Sequence, residues 1–259
     1  MKIILFDLDD TLAVSKSRLD PSMAALLTRL LQRVDVCIIS GGRYEQFQNQ
    51  VLAALEPAAD LERLHLMPTC GTQYYRWSRS GGWVQQYAEN LTDDEKQRAL
   101  AVVEAGAREL GLWESDTWGP VLEDRGSQIT FSALGQSAPV EAKSTWDPDG
   151  AKKEALRAYA AARLPDLEPR SGGSTSVDIT RLGIDKAYGV NQLCRIYGLE
   201  LTELLFVGDR LDEGGNDYPV KAIGVECVAV HGWPDTAQYL TRLLETLPLE
   251  DPLAPAPAR

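Results

Sequence analysis

Three carboxylates crowd into four residues near the start of the chain, Asp7-Leu8-Asp9-Asp10, with Thr11 directly after them. They follow a short apolar run, Lys2–Phe6 (KIILF). In extended chain, positions i and i+2 share a face, so Asp7 and Asp9 project together. Acid groups this close repel one another unless a cation sits among them. Magnesium, a hard ion that prefers oxygen ligands and retains waters, suits such a place. A solvated Asp-rich turn, with Thr11 capping a helix, is the alternative reading. A second acidic strand end favours the metal. Leu204–Val207 (LLFV) runs into Gly208-Asp209, and the loop Arg210–Asp217 (RLDEGGND) adds Asp212, Glu213 and Asp217. Two strands of one parallel sheet that both end in Asp can bring carboxylates to a single ion.

Two further segments suit an anion. Ile38-Ile39-Ser40-Gly41-Gly42 sets a hydroxyl and glycine N–H groups at another strand end, before a helix. Free N–H groups at helix N-termini and glycine-rich turns bind phosphate. Ser40 reads either as a phosphate ligand or as an ordinary N-cap. Arg43 reads either as a phosphate contact or as a solvated helix-start residue. Gly183-Ile184-Asp185-Lys186 puts a lysine in the first turn of a helix, where the dipole disfavours a cation. An anionic neighbour would account for Lys186; solvent exposure is the other account.

These segments need a scaffold that gathers strand ends. Lys2–Phe6, Val34–Ile39, Leu64–Met67, Glu203–Val207 and Val225–Val230 read as strands. Pro21–Arg33, Tyr44–Leu55, Asp185–Tyr197, Pro219–Ala222 and Thr236–Leu247 read as helices between them. Such alternation predicts an α/β fold, a doubly wound parallel sheet that binds ligands beyond its carboxyl ends. In the middle, Gly81–Glu89, Ser127–Leu134 and Ser174–Thr180 alternate apolar and polar residues, as antiparallel strands with one open face do. Helices over Thr92–Leu110, opened by a capping box, and Asp149–Leu164 would cover the other face. The expected organisation is a discontinuous core domain of 1–79 and 183–247, an inserted domain of 80–182, and a disordered Pro-rich tail of 248–259.

Bulk properties exclude little beyond this. The 259 residues are 44% hydrophobic and carry a formal charge of −12, which speaks against nucleic acid or an anionic membrane as partner. No signal peptide or membrane span is read, and a cytoplasmic monomer or homodimer is expected. Of the four cysteines, Cys37 and Cys227 lie in apolar runs and read as small buried hydrophobes. His65 and His231 show no ligand spacing. Trp77, Trp83, Trp113, Trp118 and Trp146 read as core packing rather than as sugar-stacking platforms.

The ordered set DLDDT, ISGG, the lysine of GIDK and GDRLDEGGND resembles the four motifs of the haloacid dehalogenase superfamily. The long gap between the second and third motifs resembles members with a C2-type cap. GGND together with SGGSTSVDI resembles the eukaryotic-type phosphomannomutases. The resemblance implies a Rossmann-like core with an α+β cap and a Mg2+-dependent phosphoryl transfer on a small phosphorylated substrate, a sugar phosphate. Asp7 would be the nucleophile and Asp9 the general acid and base. Ser40 and Lys186 would hold the phosphoryl oxygens, with Gly41, Gly42 and Arg43 beside them. Asp7, the Asp9 carbonyl and Asp209 would ligate the ion, with Asn216 and Asp217 nearby. Arg125, Ser176 and Asp178 match cap positions that contact the sugar phosphate.

Three departures bear on function. Asp10 and Cys70 stand where the family has Gly and Asn, and Gln136 stands where the mutases have an arginine. Loss of a bidentate phosphate clamp points to a phosphatase, with a hexose-phosphate mutase as the alternative. A signalling receiver domain uses similar groups but is much shorter, with its Asp after a middle strand. A non-catalytic binding module need not keep Asp7, Asp9, Lys186 and Asp209 together.

Overall fold

A computed structural model describes residues 1–253. The chain divides into two compact units, Met1–Tyr87 with Asp185–Arg259, and Ala88–Ile184. The divisions fall after 87 and 184, rather than after the expected 79 and 182.

In the first unit, β1 (Ile3–Phe6), α1 (Pro21–Leu31), β2 (Asp35–Ile39), α2 (Tyr44–Phe47), β3 (Leu64–Met67), β4 (Gln73–Ser78) and β5 (Gly82–Ala88) follow in order. The second unit contains α3 (Asp93–Glu109), β6 (Leu122–Asp124), β7 (Ile129–Ser132), α4 (Val140–Trp146), α5 (Ala151–Ala161), β8 (Leu167–Ser171) and β9 (Ser176–Arg181). The chain then returns through α6 (Lys186–Tyr197), β10 (Leu204–Gly208), α7 (Tyr218–Ala222), β11 (Glu226–Ala229) and α8 (Trp233–Thr246).

Seven strands form one sheet in the order β11-β10-β1-β2-β3-β4-β5, parallel from β11 to β3. Every residue of β1 is buried because both sheet faces are covered. Ile4 and Phe6 enter a core with Leu27 and Leu30 of α1 and Leu240 of α8. Ile3 and Leu5 enter the opposite core with Val190 and Leu193 of α6. Helices on both faces make this the doubly wound architecture.

The alternating segment Gly81–Glu89, expected in the inserted domain, instead forms β5 at the edge of this large sheet. Period-2 alternation marks a half-solvated strand but cannot say which sheet it joins. Cys227 differs from expectation in the same way: it is only half-buried, because β11 is the other edge. Cys37 is fully buried, and all four thiols are free.

The second unit is a four-stranded antiparallel sheet, β6-β7-β9-β8. Ile129, Phe131, Val177 and Ile179 pack on Val103 and Leu156 of α3 and α5. Thr92 caps α3 through the expected box with Glu95. Trp146 joins this core, Trp113 packs against it, and Trp118 is exposed. Trp77 and Trp83 instead meet edge to face on β4 and β5.

The start of the expected disordered tail is held in place. Glu250 N donates to the Arg33 carbonyl at 2.7 Å, and Leu253 N to Asp35 Oδ2 at 3.1 Å. The rest of that segment, 254–259, lies outside the described residues. Among the described residues no helix is long and apolar enough to cross a membrane.

Candidate active site

Parallel pairing places three strand ends in a row. Phe6 of β1 stands level with Val207 of β10 and Ile38 of β2. Asp7, Asp209 and Ser40 follow these strands, so all three arrive at one edge of the sheet. Asp7 N continues the ladder onto the Val207 carbonyl at 3.1 Å.

Oxygens of Asp7, Asp209 and Asp217 lie within 4.8 Å of one another. Asp217 reaches the group because Gly208 has no side chain; a Cβ there would collide with the Asp217 carboxylate. Its Oδ2 also accepts from Arg210 N at 3.1 Å, which ties the acidic loop back under β10. Thr11 Oγ1 lies 3.2 Å from Asp209 Oδ1 and 3.4 Å from Asp7 Oδ2, so its hydroxyl bridges the two strand-end carboxylates. Asn216, one residue before Asp217, is exposed to solvent.

Lys186 is the first residue of α6, capped by Asp185, whose side chain accepts from Tyr188 N. It is fully buried, with Nζ bonded to Asp7 Oδ1 and lying 2.5 Å from Asp217 Oδ1. That replaces the exposed-lysine reading. Burial works against its charge, but attraction to Asp217 and Asp7 outweighs it, and the ammonium is held more firmly protonated than an ordinary lysine. Asp7 is pushed the other way. Burial raises it well above the ordinary carboxylate range; Lys186 pulls it down, while Asp217 and Asp9 push it up. Asp209 is raised by burial and by Asp217. Three carboxylates against one ammonium leave the cluster short of positive charge. An all-oxygen donor set with excess negative charge fits a divalent ion such as magnesium.

The Asp9 side chain takes its hydrogen bonds from groups outside the cluster. Its Oδ1 accepts from Lys16 N at 2.7 Å and Gln50 Nε2 at 3.2 Å, and its Oδ2 from Gln46 Nε2 at 3.0 Å. The reading of the sequence gives Gln46 and Gln50 no role. The one available signal is their spacing of four on the segment after Ser40-Gly41-Gly42. That segment is less regular than expected: α2 ends at Phe47 and continues over Gln48–Leu52 as a wider turn, with Ala53 N bonded to the Gln48 carbonyl. Asp10 adopts the left-handed backbone, φ 60°, that its place in the turn requires.

Ser40 is buried and accepts from Gly42 N at 3.2 Å, closing the glycine turn. The N-cap of α2 is Arg43, not Ser40. Arg43 is exposed and pairs with Glu45 at 3.7 Å. Beside this turn, Thr69 and Cys70 are both left-handed, and they bond the Gly42 and Ser40 carbonyls through their N–H groups.

The other candidates belong to the second unit. Arg125 pairs with Glu123 at 2.8 Å, both side chains largely buried. Thr130 Oγ1 donates to Asp178 Oδ1 at 2.7 Å, and the Ser132 and Ser176 hydroxyls lie 3.2 Å apart. These residues share the polar face of that sheet, opposite Ile129, Phe131, Val177 and Ile179. Gln136 donates to Ser132 Oγ, while its carbonyl accepts from Lys143 Nζ at 3.1 Å.

Comparison with known proteins places this geometry. Phosphomannomutase 1 of Homo sapiens is 24% identical over 228 residues, spanning 85% of this chain and 83% of that protein. The phosphomannomutase of Saccharomyces cerevisiae is 26% identical over 252 residues, 93% of each chain. Among solved structures, an N-terminally truncated IMP-nucleotidase of Plasmodium falciparum superposes with a TM-score of 0.69 at 15% identity, covering 95% of this chain and 71% of that one. A trehalose-6-phosphate phosphatase related protein gives a TM-score of 0.52 at 14% identity, over 94% and 97%. Such low identities speak to the fold alone, a Rossmann-like core with a cap. The family model for eukaryotic phosphomannomutase matches residues 23–246. The chain therefore belongs to the eukaryotic phosphomannomutase family of the haloacid dehalogenase superfamily.

Proposed function

We propose that the chain transfers a phosphoryl group on a hexose phosphate through Asp7, as a mutase of the phosphomannomutase type. The observation that carries this reading is the buried Lys186 held between Asp7 and Asp217, in a chain whose family match spans residues 23–246. That match moves the weight from the phosphatase expected at first to the mutase.

Asp7 Oδ attacks phosphorus while the bond to the sugar oxygen breaks, leaving an acyl phosphate. Asp9 gives its proton to the departing oxygen and takes one from the hydroxyl that next attacks the phosphoenzyme. Lys186 and the Ser40 turn hold the phosphoryl oxygens against the charge that develops there. Asp7, the Asp9 carbonyl, Asp209 and Asp217 are the residues to hold magnesium, which supplies charge neutralisation on the transferring group. Arg125, Ser176 and Asp178 are the candidates to hold the rest of the sugar phosphate.

One observation favours hydrolysis as a second reading. A mutase must keep hold of a substrate that carries two phosphates between the half-reactions, and Gln136 offers an amide, already bonded to Ser132, in place of a guanidinium. Phosphorus NMR of the magnesium-loaded protein with mannose 1-phosphate, primed with a hexose 1,6-bisphosphate, separates the two. Mannose 6-phosphate with little free phosphate supports the mutase. Free phosphate without the isomer supports the phosphatase. Turnover that survives Asp7→Asn sinks both.

A further inference from the structure

Gln50 is a buried amide with one half unused. Its Nε2 donates to Asp9 Oδ1 at 3.2 Å and to the Ser17 carbonyl at 2.8 Å, while its Oε1 is buried with no hydrogen-bond partner. An orphaned buried carbonyl is destabilising, so the orientation needs a cause. Exchanging the amide's oxygen and nitrogen would face an oxygen toward two acceptors, and that orientation is worse. An apolar side chain of the same length would fill the space without the orphan. What the amide adds is a donor shared between the Ser17 carbonyl and Asp9, which ties the carboxylate to the loop after β1.

Gln46 adds a second donor, four residues earlier and on the same side of the segment. Its amide lies across Gly42, where any Cβ would collide with it. Gly42 has no positive φ, so what glycine offers there is space: a Cβ would displace the Gln46 amide from its present position. The glycine turn thus leaves room for the Gln46 amide on its way to Asp9. With Lys16 N at 2.7 Å, three donors surround the two oxygens of one carboxylate.

We propose that Gln46 and Gln50 are positioning residues that fix the Asp9 carboxylate for proton transfer to and from the sugar oxygen. This rests on the reading that Asp9 is the general acid and base. A carboxylate free to rotate about its Cβ–Cγ bond would present either oxygen, at varying distance, to the departing group. Two amides anchored on one segment hold both oxygens.

The test compares two phosphoryl donors that differ in their need for a proton. A hexose 1,6-bisphosphate, the priming donor, releases a sugar oxygen, a poor leaving group, and needs the acid; p-nitrophenyl phosphate releases a good one and does not. Rapid-quench measurements on the full magnesium-loaded chain follow the first phosphoryl transfer. In Gln50→Met the rate from the hexose 1,6-bisphosphate should fall by about 10- to 100-fold at little-changed KM, while the p-nitrophenolate burst stays within about threefold. Gln46→Met, at a less buried position, should show the same selectivity to a smaller extent, and it carries the test if Gln50→Met does not fold. Equal losses with both donors, or no loss with either, overturn the proposal. If the wild-type chain accepts phosphate from neither donor, the function itself fails, and this positioning role fails with it.

Discussion

Lys186 and Asp217 meet at 2.5 Å with both side chains almost wholly excluded from solvent, although 31 residues separate them in sequence. The same ammonium binds Asp7 from the other end of the chain. One lysine therefore closes the sheet edge electrostatically.

Removing it should expose the repulsion it offsets. Lys186→Met is expected to lower stability by about 3–5 kcal/mol, because the buried Asp7 and Asp217 lose the ammonium that pairs with them. Added magnesium should recover part of that loss. Urea denaturation in EDTA and in magnesium measures both, and an unchanged midpoint in EDTA would contradict the ion-pair account.

Metal binding should be visible without turnover. The EDTA-treated wild-type chain is expected to melt at higher temperature as magnesium is titrated, by about 2.7 kcal/mol of stabilisation at one hundred times Kd. Asp209→Asn should remove most of that shift and leave the metal-free melt little changed or raised, since one repelling carboxylate is gone. Equal magnesium shifts in both proteins would argue against Asp209 as a ligand.

His65 makes a stability prediction far from the chemistry. It is fully buried, its Nε2 3.0 Å from Asp35 Oδ1 and its Nδ1 2.7 Å from the Tyr74 hydroxyl. Burial, only partly offset by Asp35, pushes it down to about 4. Above the unfolded value of about 6.5 neither state holds the extra proton. Between about 6.5 and 4 the unfolded chain binds it and the folded chain does not, so stability falls as pH falls through that window. The loss is of order 3 kcal/mol by pH 4. Denaturant titrations from pH 4 to 8 should show a slope about one proton shallower in His65→Gln.

Cys70 sits at φ 55°, ψ 30°, a left-handed conformation that costs a side chain about 1–2 kcal/mol unless it can bond locally. Cys70→Asn is expected to stabilise the chain by a few tenths to about 1 kcal/mol. Thermal melts check it; a lower melting temperature would mean that the thiol packs better than its backbone suggests.

Gln136→Arg offers a charged, bidentate group where an amide now bonds Ser132. The ratio of mannose 6-phosphate to free phosphate should rise several-fold in the variant. An unchanged ratio would mean that the second phosphate is held elsewhere.

The sequence alone determined which strand ends carry acid and the alternation that makes a doubly wound sheet. These are local facts: a buried parallel strand reads as a continuous apolar run, and the residue after it must lie at the sheet's edge. Tertiary structure decided the rest. Asp217 folds under Gly208 to reach Lys186, and Gln46 and Gln50 turn onto Asp9, because loop paths and helix rotation, not spacing, choose such partners. Gly81–Glu89 joined the large sheet, since alternation tells a strand's faces but not its neighbour. His65 found Asp35 only when β2 and β3 paired, across 30 residues that carry no mark of the contact.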